Sequence, residues 1–133
     1  MAWPRCDGKR VLGLGVPGEQ RDWLNDCVLN GNKRATAGLL ETDYEPEGEA
    51  LEHVGELLAL VDSEDGYLRT VEVTHVSVVP FGEVPFSFAE AEGEGFRSIE
   101  HWREAHAGFW AGAGATVTPE SAVALIHFRV LDH

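Results

Sequence analysis

The chain has 133 residues, with 10 Lys plus Arg against 23 Asp plus Glu, a formal charge of −13 at pH 7. That length suits one domain with a self-sufficient core, and that charge excludes the broad basic surface that tracks long nucleic acids. Hydrophobic residues make up 44% and charged residues 25%, a globular rather than a disordered balance.

No uninterrupted apolar stretch opens the chain, so no secretory leader is expected, and no run is long enough for a membrane span. Cys6 and Cys27 match no zinc spacing and read as reduced thiols of a cytoplasmic protein. Residues 1–18, rich in Gly and Pro, read as an irregular lead-in to a single domain over 1–133. Within them Gly13-Leu-Gly15-Val-Pro-Gly18 has the spacing of a dinucleotide-binding loop. Without a full strand before it or a βαβ unit after it, a plain turn into a helix is the better reading.

Glu19 to Asn30 is expected to be a helix, with Glu19 and Asp22 at its positive end and Leu24, Cys27 and Val28 on a buried stripe. Gly31 ends it, and a turn then leads into a short extended piece reaching Leu40. From Ala35 to Leu68 there are ten acids and no Lys or Arg, so Glu41–Glu52 reads as a solvated, mobile loop. Tyr44 inside it is a candidate stacking residue, and residues 41–56 a candidate lid.

Leu57–Val61 reads as a buried strand, and the Asp65-Gly66 turn makes a hairpin with Tyr67–Val79. Simple alternation puts Val71, Val73, His75 and Val79 on one face, with His75 in the core. Phe86–Glu92 is a short helix with Ser87 as its cap, ended by Gly93 and Gly95. Ser98 caps a further helix whose Ile99, Trp102, His106, Phe109 and Trp110 share one face. Core packing is the expected role of those aromatics, and His106 reads as a bonded core histidine or a pocket residue. His101 and Glu104 share a helix face without an evident third ligand, so no metal site is expected. Ala122–Leu131 is the last, apolar strand. The elements compose an α+β domain around a small, largely antiparallel sheet.

Lys33 and Thr36 lie three apart after a helix end. An extended chain points them to opposite faces, whereas a tight turn, which Gly31 and Asn32 favour, brings them together. A threonine hydroxyl needs a base to become a nucleophile. Lysine serves as that base only if burial or a neighbouring cation, for which Arg34 is the candidate, lowers its pKa; an adjacent carboxylate keeps it charged.

Three stretches, Gly31-Asn-Lys33-Arg-Ala-Thr36, Phe88-Ala-Glu90-Ala-Glu92-Gly93-Glu94-Gly95, and Trp102-Arg-Glu-Ala-His106 with Phe109-Trp110, together resemble the ASCH domain of the PUA-like superfamily. They match the G-x-K-x-x-T, E-G-E-G and W-x-x-x-H features of one subgroup, in order, over roughly residues 19–131. The resemblance implies a PUA-like, largely antiparallel β-barrel flanked by helices. It also implies work on RNA or modified nucleosides, foremost amide hydrolysis of N4-acetylcytidine and related acylated cytidines. The catalytic trio carried over is Lys33, Thr36 and Glu92, with Glu90 and Glu94 as alternative acids. Arg34, Tyr44 and His106 are the expected substrate contacts, and nothing calls for a cofactor.

The acid excess favours a small nucleoside, or at most a short single strand, over a duplex or a membrane. Two other readings stay open: RNA binding or cleavage with Lys33, Arg34, Arg21 and Arg97 gathered, and a non-enzymatic module that reads a modified base. Oligomeric state is not legible.

Overall fold

The computed structural model describes residues 3–131. Two short strands, β1 (Arg5–Cys6) and β2 (Lys9–Leu12), precede helix α1 (Glu19–Leu29), strand β3 (Ala35–Leu39) and a π-helical turn (Leu40–Tyr44). Strands β4 (Leu57–Val61) and β5 (Tyr67–Pro80), helices α2 (Phe86–Ala91) and α3 (Ile99–Gly112), and strand β6 (Ala122–Val130) follow. The sheet runs β1-β2-β4-β5-β6-β3, all antiparallel except the parallel pair β2–β4. It is an α+β architecture of the PUA-like kind, but the sheet is not closed: β1 and β3 stand at opposite ends of the order.

Residues 1–18 are not simply irregular. Asp7 and Gly8, at φ 49° and 79°, form a two-residue turn that pairs Arg5 with Arg10 and Cys6 with Lys9. Both central positions of such a hairpin turn are left-handed, which Asp-Gly accepts cheaply. The glycine loop at 13–18 does link a strand to a helix, yet it is not arranged for phosphate. The Val16 N–H donates to Gln20 Oε1, the Gly18 N–H donates to Ser63 Oγ, and Glu19 and Asp22 occupy the first turn of α1.

The Glu41–Glu52 segment is exposed at Glu41, Glu45, Pro46, Gly48, Ala50 and Leu51, as expected of a solvated loop, but it is also anchored. Arg10 donates to both Glu56 oxygens, at 2.7 and 2.8 Å, and to the Ala50 carbonyl at 2.6 Å; Arg5 donates to Glu49. The counter-charges missing from the segment come from the N-terminal hairpin. Tyr44 is buried and donates to Glu52 Oε1 at 2.9 Å, so it is a fixed wall rather than a mobile lid.

One core lies under α1 and includes Leu24, Val28, Leu58, Val71, Val73, Ile126 and Phe128. The other lies under α2 and α3 and includes Leu39, Phe81, Phe88, Trp102, Trp110, Val123 and Leu125. Alternation along β6 sends even positions to the first core and odd positions to the second. In β5 a bulge between Val73 and His75 inserts one residue and reverses that parity. Val71 and Val73 therefore face the first core, Val79 packs against the second, and His75 is exposed rather than in the core.

Ser87 does not cap α2: the cap position is Pro85, and no side chain bonds there. Ser98 does cap α3, its Oγ accepting the His101 N–H at 3.0 Å. On α3, Trp102 and Trp110 are buried as expected, but Phe109 is 41% exposed.

Candidate functional site

The end of α1 places the lysine. Gly31, at φ 88°, turns the chain, and the Lys33 N–H donates to the Cys27 carbonyl at 2.8 Å. The end of α2 places its partners. The Arg34 N–H donates to the Ala91 carbonyl at 2.8 Å, and Gly93, at φ 65°, passes so close to the Asn32 carbonyl that no side chain fits.

Lys33 Nζ thereby donates to Glu92 Oε2 at 3.0 Å and to Glu94 Oε2 at 2.7 Å. Glu92 Oε1 in turn accepts the Trp102 indole N–H at 2.6 Å and faces His106 Nε2 at 3.1 Å. His106 stacks on Trp102, with ring centroids 4.1 Å apart, and its Nδ1 lies 3.0 Å from the Trp102 carbonyl. The W-x-x-x-H spacing is what makes this stack, because residues four apart lie on one helix face.

The two carboxylates have different surroundings. Glu92 is 2% exposed and both its oxygens are engaged, whereas the Glu94 side chain is 17% exposed and, among the described residues, bonds Lys33 alone. Burial works to push Glu92 up, but the Lys33 ammonium and then His106 outweigh it and bring it down to about 2. For Glu94 burial prevails over Lys33, and with the adjacent Glu92 charge it leaves this carboxyl above its ordinary value. Burial acts to lower Lys33, but Glu92 and Glu94 more than offset it and hold the ammonium above its usual range. Lys33 is therefore a cation at rest, not the neutral base that a neighbouring Arg34 would have favoured.

Lys33, Thr36, Glu92, Glu94 and His106 line one cavity of about 160 Å³, walled by Phe96, Phe109 and Trp110. Thr36 and Ala37, which point to opposite faces of β3, both reach it, so the cavity follows the free edge of that strand. Among the described residues the Thr36 hydroxyl takes up no hydrogen bond. A wider cavity of about 490 Å³ adjoins it, sharing Thr36, Ala37, Phe109 and Trp110, and is lined by Tyr44.

Arg34, expected as a substrate contact, is exposed and lines neither cavity. Nor do Lys33, Arg34, Arg21 and Arg97 gather into a cationic patch. Arg21 is buried with its Nε on the Leu14 carbonyl, Arg97 is exposed, and neither Arg34 nor Arg97 lines the cavity that holds Lys33. Among the described residues no group of three or more His, Cys, Asp or Glu is placed to hold a metal ion. No helix among them is long and apolar enough to cross a membrane.

A family model for the ASCH domain matches residues 13–132. The chain belongs to the ASCH domain family. Its fold is similar to the crystal structure of an ASCH domain from Lactobacillus crispatus JV V101, at 29% identity and a TM-score of 0.77, covering 90% of this chain and 77% of that one. It is similar as well to protein EF3133 from Enterococcus faecalis V583, at 27% identity and a TM-score of 0.83, covering 96% of this chain and 78% of that one. Protein PF0455 from Pyrococcus furiosus, at 19% identity and a TM-score of 0.52, shares the fold over 90% of this chain and 98% of its own. No curated protein matches the chain. In this ASCH domain the lysine of G-x-K-x-x-T and both acids of E-G-E-G meet at a single ammonium group.

Proposed function

We propose that this ASCH domain hydrolyses the amide of an N-acylated nucleoside of the N4-acetylcytidine type, with Lys33, Thr36 and Glu94 acting on the reacting atoms. The observation that carries the reading is the convergence of a buried ammonium, a free hydroxyl and a carboxylate with a raised pKa in one solvent-reaching cavity. A group poised nearer neutrality than an ordinary carboxyl is suited to carry a proton both ways.

In this reading the Glu94 carboxylate takes the Thr36 Oγ proton as the oxygen attacks the acyl carbon. Lys33 stabilises the oxyanion that develops. Collapse breaks the C–N bond, Glu94 returns the proton to the leaving N4, and the acyl group stays on Thr36 as an ester. Water, giving its proton to Glu94, attacks the acyl carbon; the C–O bond to Thr36 breaks, Glu94 returns the proton to Thr36 Oγ, and the acid is released. Glu92, with both oxygens already engaged, is a positioning residue: it holds Lys33 and the Trp102–His106 stack. In this reading the acid of the trio is Glu94, in place of the Glu92 that the resemblance implied. His106 forms the cavity wall beside it.

The test is release of acetate and cytidine from N4-acetylcytidine by the purified protein. Thr36→Val and Glu94→Gln are expected to abolish release while retaining the wild-type circular dichroism. A wild-type protein that leaves the nucleoside intact at stoichiometric concentration would overturn the assignment.

A further inference from the structure

His106 stands between two oxygens that can only accept. Its Nδ1 lies 3.0 Å from the Trp102 carbonyl oxygen, and its Nε2 lies 3.1 Å from Glu92 Oε1. A carbonyl has no hydrogen to give, and Glu92, held down at about 2, is a carboxylate. A neutral imidazole has one N–H and one bare lone pair, so either tautomer turns a lone pair on an oxygen. The side chain is only 15% exposed, which leaves water little room to relieve that repulsion. The imidazolium donates from both nitrogens and satisfies both contacts.

The surroundings favour the same form. The Trp102 ring lies stacked on His106, and a π-face attracts a cation; Phe96 and Trp110 flank it, each with its centroid 5.5 Å away. The charged groups that share its cavity are Glu92 and Glu94 from the end of α2 and Lys33 from the turn after α1. Beside a neutral ring, the two carboxylates would have one ammonium between them. Like charges so close resist joint ionisation, and the proton would settle on Glu94, the less fully bonded of the two. Beside an imidazolium, two cations face two carboxylates. The influences on Glu94 run in that sense: burial raises it, Lys33 lowers it, the Glu92 charge raises it, and His106 lowers it.

We propose that His106 is a positioning residue held as an imidazolium, whose charge keeps Glu94 ionised and ready to take the Thr36 proton. It acts through the two glutamates, not on the reacting atoms. Its consequence for turnover rests on the amidohydrolase reading, whereas its charge and its hold on Glu94 are read without substrate.

Nitrogen-15 spectra of the ring test the charge in the wild type, with the His106 signals assigned by their loss in His106→Gln. Both ring nitrogens are expected to be protonated at pH 7; a single neutral tautomer overturns the proposal, and this measurement stands even if the variant fails to fold. Carbon-13 titration of the Glu94 carboxyl tests the coupling. Its midpoint is expected to move upward in His106→Gln, and an unmoved midpoint in a folded variant overturns the proposal. With N4-acetylcytidine the acid limb of kcat/KM should move the same way, so that the variant loses about tenfold at acid pH with KM little changed. A limb that stays in place while kcat/KM falls equally at every pH would mark a merely structural role and overturn the proposal. A protein with a protonated His106 and a shifted Glu94 that hydrolyses nothing sinks the amidohydrolase reading and upholds the charge assignment.

Discussion

The indole N–H of Trp102 ends 2.6 Å from Glu92 Oε1, joining α3 to the close of α2 through a bond with no access to water. Glu92→Ala deprives Lys33, Trp102 and His106 of their shared acceptor at once. It is expected to cost about 3–5 kcal/mol, the range for breaking a buried pair from one side. Trp102→Phe keeps the ring and removes only the donor, for an expected loss of about 1–3 kcal/mol. Urea unfolding of the two variants checks the order.

Acid should act on the two carboxylates in opposite senses. Glu92 has a folded value of about 2 against an ordinary 4.5. Its stabilisation is therefore present above 4.5 and is lost as pH falls toward 2, by an amount on the order of 3 kcal/mol. Glu94 is raised, so its contribution to stability declines as pH climbs through the carboxylate range. Urea midpoints between pH 2 and 5 should fall steeply in the wild type and much less in Glu92→Gln. For hydrolysis the acid limb of kcat/KM is expected above pH 4.5, because Glu94 must be ionised to take the threonine proton. A limb centred below 4.5 would assign the proton to another group.

Gly93 is the hinge of the E-G-E-G stretch. A methyl group there would collide with the Asn32 carbonyl, a backbone atom with nowhere to go, at a φ that L-residues avoid. Gly93→Ala is expected to pull Glu94 away from Lys33 and to lower kcat/KM by about a hundredfold or more, as ångström-scale misplacement does. Gly95→Ala is the control: its added carbon meets nothing within 4 Å, although its φ of 85° still strains the backbone. It should retain far more activity.

Arg34 projects outside both cavities, so Arg34→Ala should change acetylcytidine hydrolysis by no more than about twofold, as a surface substitution within ±0.5 kcal/mol would. A large loss would return the guanidinium to the site.

Elements bounded by local signals were legible in the chain. Leu57–Val61 is an unbroken apolar run closed by a turn, and the Ser98 cap announces α3. The Asp7-Gly8 turn carries the same dipeptide as Asp65-Gly66, but Arg5, Cys6, Lys9 and Arg10 beside it do not resemble strand residues. The bulge after Val73 escapes any period-two reading, since one uncounted residue reverses every later position. The acidic segment looked solvated because its arginine partners lie 39 to 46 residues away. At the site, G-x-K-x-x-T marked Lys33 and Thr36. The different surroundings of Glu92 and Glu94 were not legible, because they depend on the backbone turn at Gly93 that leaves one side chain buried and the other partly exposed.

Strands β5 and β6 each send side chains into both cores. Neither apolar layer can open while the other stays shut, because the pair of strands between them is common property. Loss of structure is therefore expected as one all-or-none event, with tryptophan fluorescence and far-ultraviolet dichroism falling together. The ammonium–carboxylate cluster at the edge of that shared sheet would then persist up to the global melting point, rather than fraying ahead of it.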